Sequence, residues 1–258
     1  MPRPFVVGLS GGIASGKSSI AALLAAELAP AGGAALDCDK LGHRAYDPAD
    51  GPAGVATRDA LERAFSADAK GGTLLKEDGT VDRTKLGPIV FAAKEKMDDL
   101  NAIVWPAIAA LAELELGKLG DEGVKIVIME AAVLLEAGWE TWVDEVWIVS
   151  CPPDVQRRRL CQRDTRLTAA DADKRLASQM SIDDRLAKAA ACRAHTVVIE
   201  NSGSLTEATE RSAAACSALL RRMADGGGGG AGARGCSWPV LLGAAAATVA
   251  VGALVAKR

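Results

Sequence analysis

The sequence predicts an α/β protein built on a five-stranded parallel sheet. Short apolar, β-branched runs alternate with longer helical stretches along the chain. These runs carry few charges, as strands buried on both faces do. The first run leads through a glycine-rich turn into an Ala/Leu-rich helix, the opening of a strand–loop–helix unit.

That first strand is Phe5–Leu9, and directly after it Gly11-Gly12-Ile13-Ala14-Ser15-Gly16-Lys17-Ser18 fits the phosphate-binding pattern G-x-x-x-x-G-K-[ST]. Each position has its own task. The glycines let several backbone N–H groups surround one anion without a side chain in the way. Lys17 adds a mobile positive charge for the outer phosphates. The Ser18 hydroxyl suits Mg²⁺, which prefers hard oxygen donors. A helix over Ser18–Leu28, with Ser19 in its first turn, turns its positive end toward the same anion. Gly11 to Ser19 is therefore read as a nucleoside triphosphate site. Leu9-Ser10-Gly11-Gly12 also resembles the signature loop of ABC transporter ATPases, but there that loop lies far downstream of the phosphate loop, whereas here the two overlap.

The remaining strands are expected at Ala34–Asp37, Val124–Met129, Glu145–Val149 and Thr196–Ile199. Between the second and third, residues 53–118 form a helical region interrupted by Gly71-Gly72, Asp78-Gly79 and Gly87-Pro88. It is too long for one crossover helix and is read as a helical insertion of the kind that closes over an acceptor in small-molecule kinases. Residues 156–185 are dense in arginine: Arg157, Arg158, Arg159, Arg163, Arg166, Arg175 and Arg185. With a phosphate loop upstream, the stretch reads as a cationic lid. Arg159 and Arg163 are expected to face the phosphates, and Arg157, Arg158 and Arg166 the solvent.

With 49% hydrophobic and 24% charged residues the chain is not a disordered protein, and 258 residues can bury one sizeable core. From Gly226 onward the only charged residues are Arg234, Lys257 and Arg258; removing those three from 30 basic residues leaves 27 against 33 acidic, a net of −6. An acidic body argues against nucleic acid as the main partner. The six cysteines contain no C-x-x-C pair, and His43 and His195 give a histidine-based metal site or a Ser-His-Asp triad little material. The sequence reads as a reduced, zinc-free protein. The N-terminal apolar run is needed as a strand, so no signal peptide is expected.

Residues 1–225 are thus read as the catalytic body and 226–237 as a Gly-rich linker. Residues 238–256 form a C-terminal hydrophobic helix of bilayer length, with Trp238 at one boundary and Lys257-Arg258 at the other. This segment is expected to anchor the chain in a membrane, with the body facing the cytosol. Cys236, beside the proposed membrane face, is a candidate for acylation. The alternative is a short hydrophobic helix packed back on a soluble cytoplasmic protein.

Three carboxylates complete the candidate site. Asp37 and Asp39 end the second strand, at the carboxyl edge where open α/β sheets place ligands. Alternation along an extended chain sends both to one side. Asp39 is the candidate general base, with a helix N-cap as its structural use; Asp37 would help hold Mg²⁺ through water. Glu130 follows the third strand in a Walker B position and is the second metal-shell candidate. No N-K-x-D base-reading motif of GTPases occurs.

These residues resemble dephospho-CoA kinases. The resemblance rests on Leu9–Ser18, Asp37-x-Asp39, Arg83-x-x-Leu86-x-x-x-Val90-Phe91, Asn101-x-Ile103-x-Trp105-Pro106-x-Ile108 and Ala132–Trp139. Arg159-x-x-x-Arg163-Asp164, Ser178-Gln179-Met180-Ser181 and Asn201-Ser202-Gly203 continue it, in the family's order. Leu41-Gly42-His43-Arg44-Ala45-Tyr46 is similar to the kinase domain of eukaryotic CoA synthase, here expected as a stand-alone enzyme. A membrane-spanning tail is similar to that of an animal homologue of the family. The chain departs from the commonest pattern at Trp105, where many members have His, and at Glu130, where many have Asp.

The resemblance implies ATP- and Mg²⁺-dependent phosphorylation of the ribose 3′-hydroxyl of dephospho-CoA, with Asp39 taking the proton. It also implies Lys17, Arg159 and Arg163 on the migrating charge, and Asn201-Ser202-Gly203 at the adenine. Another P-loop kinase, acting on a nucleoside, nucleotide or sugar acid, is the nearest alternative. A catalytically silent membrane scaffold is the alternative of a different class. Oligomeric state is not legible.

Overall fold

The structure, a computed structural model, describes residues 3–192 and 194–225. The expected linker 226–237 and apolar tail 238–256 lie outside those residues. The described residues form two compact units, one made of residues 3–37 and 116–225 and the other of residues 38–115.

The first unit is the sheet. Strand β1 (Phe5–Gly11) leads through the glycine-rich turn into helix α1 (Lys17–Leu28) and strand β2 (Gly33–Asp37). In the second unit follow α2 (Cys38–Arg44), α3 (Pro52–Phe65), α4 (Arg83–Ala92) and α5 (Lys94–Asp121), the last ending in the first unit. The chain then forms β3 (Ile126–Glu130), β4 (Glu145–Ser150), α6 (Pro153–Arg163), α7 (Ala169–Ala177), α8 (Ile182–Ala191), β5 (His195–Glu200) and α9 (Leu205–Ala224). The five strands are parallel in the order β2-β3-β1-β4-β5. Each lies where the apolar runs place it. β3 starts two residues later than expected, because Gly123, at φ 84°, turns the chain after α5 and Val124 N–H donates to Leu119 O.

Side-chain alternation explains how the central strands β1, β3 and β4 are buried on both faces, whereas the edge strands β2 and β5 are partly exposed. Val7, Leu9, Ile126, Ile128, Trp147 and Val149 lie in one core with Ile20 and Leu24 of α1 and Ala208, Cys216 and Leu219 of α9. Fully burying such an aliphatic side chain is worth about 1.5–3 kcal/mol. On Gly8, a β-carbon would meet Leu134 Cδ2 at 2.9 Å and Val143 Cγ1 at 3.0 Å, so the chain after β3 packs directly on the backbone of β1. Trp147 is fully buried and its indole N–H donates to Glu145 Oε2 at 2.8 Å. Arg222 holds the same carboxylate at 3.0 and 2.8 Å. Burial pushes the Cys216 thiol up to about 12. The five described cysteines are free thiols.

The second unit corrects one expectation. Gly87-Pro88 does not interrupt a helix; both residues lie inside α4. Pro88 is exposed, while Leu86, Gly87 and Val90 are buried and keep the helix seated. The break comes at Ala93, whose backbone is extended. The turn at Asp78-Gly79 is a short antiparallel connection in which Leu75 pairs with Val81. Helix α5 is long and apolar enough to cross a membrane by length and composition. However, Met97, Leu100, Val104, Ile108, Ala112 and Leu116 are buried at a three-to-four-residue spacing, the stripe of a core helix.

Candidate functional site: the loop after the first strand

The site of the first unit is built where β1 ends. The chain reaches β2 and β3 on one side of β1 and β4 and β5 on the other, so the loop after β1 lies at the switch point of the sheet. Gly16 has φ 86° and ψ 20°, a left-handed conformation suited to glycine. A β-carbon there would overlap Asn201 Nδ2. Ala14, at φ 56°, is the one non-glycine with positive φ among the described residues, as a tightly wound anion loop demands.

Lys17 and Ser18 open α1, and both reach Glu130 at the end of β3. Lys17 Nζ donates to Glu130 Oε1 at 2.6 Å, and Ser18 Oγ donates to the same oxygen at 2.6 Å. Lys17 and Glu130 are buried, 8% and 5% exposed, so the pair is little screened. Strand register sets Glu130 between Leu9 on β1 and Asp37 on β2. A hydroxyl and a carboxylate converging there, with a second carboxylate on the adjacent strand, fit the hard-oxygen requirement of Mg²⁺.

The rest of the loop is held by side chains from α6, the chain between α7 and α8, and the turn after β5. Ile13 N–H donates to Gln179 Oε1 at 2.7 Å, and Gln156 Nε2 donates to Ile13 O at 2.9 Å. Ser15 N–H donates to Gly12 O at 3.2 Å. The protein itself thus engages two of the amides expected around the anion. Asn201 Nδ2 donates to Ser15 O at 2.8 Å, and Arg159 donates to the same carbonyl at 3.3 Å. Arg159 also lies 3.5 Å from Cys151 Sγ. Burial raises the Cys151 thiol pKa, and the Arg159 charge opposes the shift.

The expected site residues therefore separate as follows. Gly11 through Ser18, Glu130, Arg159 and Asn201 come together around the loop; Ser19 lies one residue further along α1, and Asp37 stands next to Glu130. Arg163 is exposed, one helical turn beyond Arg159 on α6. Arg158 and Arg175 are exposed, and Arg157 and Arg166 pair with Asp173 and Asp164. Asp39 is in the second unit, as the second residue of α2. It is neither in extended chain nor an N-cap, because the helix begins at Cys38; strand alternation therefore cannot align it with Asp37.

Several residues around these sites had no role in the sequence reading. Gln156 and Gln179 grip Ile13. Arg185, counted within the lid arginines, is buried; it donates to Ser10 Oγ at 3.0 Å and to Glu136 Oε1 at 2.9 Å. In the second unit Arg83 lies 2.8 Å from His43 Nδ1 and 5.5 Å above the Tyr46 ring. Burial raises the Tyr46 pKa, with Arg83 opposing. Arg44 is held by Asp50 at 2.6 Å and Glu115 at 3.0 Å. The signal was present in the motifs Ser178-Gln179-Met180, Leu134-Leu135-Glu136 and Leu41–Tyr46, but spacing alone does not say which polar residue turns inward.

Known proteins match this architecture over most of its length. A family model described as Dephospho-CoA kinase matches residues 5–207. The dephospho-CoA kinase of Geobacter sulfurreducens is 37% identical over 206 residues, covering 80% of this chain and 94% of its own. That of Anaeromyxobacter dehalogenans is 38% identical over 198 residues, covering 77% and 84%. Among solved structures, a Thermus thermophilus protein is 31% identical with a TM-score of 0.65, covering 85% of this chain and 99% of its own. The dephospho-CoA kinase of Campylobacter jejuni, 24% identical with a TM-score of 0.56, covers 86% and 98% and shares the fold. With a phosphate loop at the sheet's switch point, a carboxylate bound to its lysine and serine, a family match over residues 5–207 and relatives 37–38% identical over about four fifths of its length, this chain belongs to the dephospho-CoA kinase family.

Proposed function

We propose that this chain transfers the γ-phosphoryl group of ATP to the ribose 3′-hydroxyl of dephospho-CoA, giving CoA and ADP. The observation that carries the reading is the convergence of Lys17 and Ser18 on Glu130 Oε1, in a chain of this family. In phosphoryl transfer the protein's work is positioning and charge neutralisation. The first turn of α1 directs its N–H groups and dipole at the β-phosphate, and Lys17 leaves Glu130 to bridge the outer phosphates. Mg²⁺, when bound, neutralises charge on the phosphate oxygens; Ser18 and Glu130 would hold it, with Asp37 acting through water. Arg159 releases the Ser15 carbonyl and, with Arg163, balances charge on the transferred group. Asp39 accepts the 3′-hydroxyl proton as that oxygen attacks in line. The turn Asn201-Ser202-Gly203 contacts the adenine of ATP.

The tail belongs to the same reading. Residues 238–256 anchor the chain in the mitochondrial outer membrane or the ER, with the kinase body in the cytosol. The support is an apolar segment of bilayer length after a Gly-rich stretch, closed by Lys257-Arg258. Acylation of Cys236 would strengthen the attachment. The full chain should stay in the membrane pellet after alkaline carbonate extraction; release to the supernatant overturns the anchor.

The reaction is tested by giving the full chain ATP, Mg²⁺ and dephospho-CoA and weighing the product. One added phosphoryl group on dephospho-CoA, and none on adenosine, shikimate or gluconate, is expected. Asp39→Asn should lower turnover about 10²–10⁴-fold while ATP still binds. An unchanged rate in that variant excludes the assigned base.

A further inference from the structure

Arg185 is charged, 3% exposed and outside the proposed chemistry, yet each group it touches leads into the nucleotide site. Ser10, the acceptor at 3.0 Å, is fully buried and directly precedes Gly11, where the phosphate loop leaves β1. Glu136, its ion-pair partner at 2.9 Å, lies six residues after Glu130 on the chain leaving β3. Arg185 itself sits on α8, whose N-cap Ser181 follows Gln179 by two residues. Gln179 accepts the Ile13 N–H. One helix start is therefore tied to the loop at Ile13 through Gln179 and to its root at Ser10 through Arg185.

We infer that Arg185 is a positioning residue for the nucleotide site, pinning the returning end of the lid to the root of the phosphate loop and to the chain after Glu130. A planar guanidinium holds two acceptors at fixed angles, which neither an aliphatic side chain nor a flexible ammonium reproduces. Glu136 Oε2 has no hydrogen-bond partner among the described residues, so Glu136 is oriented by its Oε1 contact to Arg185. Buried ion pairs are commonly no more stable than apolar residues of equal volume. A role in geometry accounts for keeping this one. The inference rests on the loop binding ATP, as proposed above.

The test uses the full chain with ATP and Mg²⁺ as the titrated ligand, read by calorimetry, together with melting midpoints and KM for both substrates. Ser10→Ala keeps the ion pair and removes one hydroxyl. It is expected to bind ATP about three- to tenfold more weakly, beyond what any fall in its melting midpoint accounts for, with KM for dephospho-CoA unchanged. Arg185→Met should weaken ATP binding further, and Arg185→Lys should recover part of the loss. If Arg185→Met does not fold, Ser10→Ala and Arg185→Lys decide. Folded variants that bind ATP as wild type overturn the inference, as does a loss of ATP affinity that only tracks the melting midpoint. Wild-type protein that binds no ATP would instead remove the reading of the loop, and this inference with it.

Discussion

Lys17 and Glu130 meet in a buried ion pair 2.6 Å long, and Ser18 shares the carboxylate oxygen at the same distance. With Glu where many members of the family have Asp, the carboxylate touches both loop side chains directly. Glu130→Gln keeps the shape and an acceptor but removes the charge. Turnover is expected to fall about 10²-fold, the scale of one lost electrostatic contact in an active site. The Mg²⁺ concentration giving half-maximal rate should rise. A rate profile against free Mg²⁺ that matches wild type would refute the metal assignment.

Gly16 faces two constraints at once, a left-handed backbone and the amide of Asn201. Gly16→Ala should weaken ATP binding at least about tenfold, the scale of roughly 1–2 kcal/mol of left-handed strain with the overlap added. Gly123 provides the control, because it also has positive φ but no atom lies within 4 Å of the β-carbon position. Gly123→Ala should cost stability and leave the ATP dissociation constant within twofold, about the noise of a distant site. Equal losses of affinity in both variants would show that the loop is not specifically built around Gly16.

Arg159 and Arg157 lie two residues apart on α6 with different surroundings. Arg159 is on the Ser15 carbonyl, whereas Arg157 reaches Asp173 at the surface. Under the proposed chemistry, Arg159→Ala lowers kcat about 10²-fold or more, in the range of a cationic clamp on a transferring phosphoryl group. Arg157→Ala changes it less than about twofold, since exposed pairs contribute roughly 0–1 kcal/mol. Steady-state kinetics at saturating ATP separates the two, and similar losses would dissolve the distinction.

Glu140 is buried with one carboxyl oxygen lacking a partner among the described residues. Its pKa is raised, first by burial and further by the neighbouring Glu136 charge, against the pull of Lys188 and its own backbone hydrogen bond. The native state therefore holds this proton more tightly than the unfolded chain. Its contribution to stability is complete below the ordinary carboxylate range and is lost as pH rises through the raised value. Glu140→Gln should raise the melting midpoint at pH 8 more than at pH 4. A gain independent of pH would mean that the charge of Glu140 is not what limits stability.

The strands were legible because a buried parallel strand leaves a local signature: β-branched, apolar and nearly chargeless over five or six residues. The phosphate loop was legible for a similar reason, since its function is carried by backbone conformation within eight consecutive positions. The arginine-rich stretch was less so. Seven arginines in one stretch look alike in sequence, yet Arg185 is buried against Ser10 and Glu136 while Arg166 is exposed. Gly87-Pro88 misled for the opposite reason: a strong local breaker was overruled by burial of Leu86 and Val90 on either side.

Pattern along the chain was sufficient for the order of elements, the loop that takes phosphate, and the family, because each is written in neighbouring residues. Only folding determined that Glu130 would accept from both Lys17 and Ser18, that Gln156 and Gln179 would grip Ile13, and that Arg185 would reach Ser10 across 175 positions. Those pairings depend on which strands lie side by side and which helix faces turn inward. Such choices are made by the burial of the whole core, and no short window of sequence contains them.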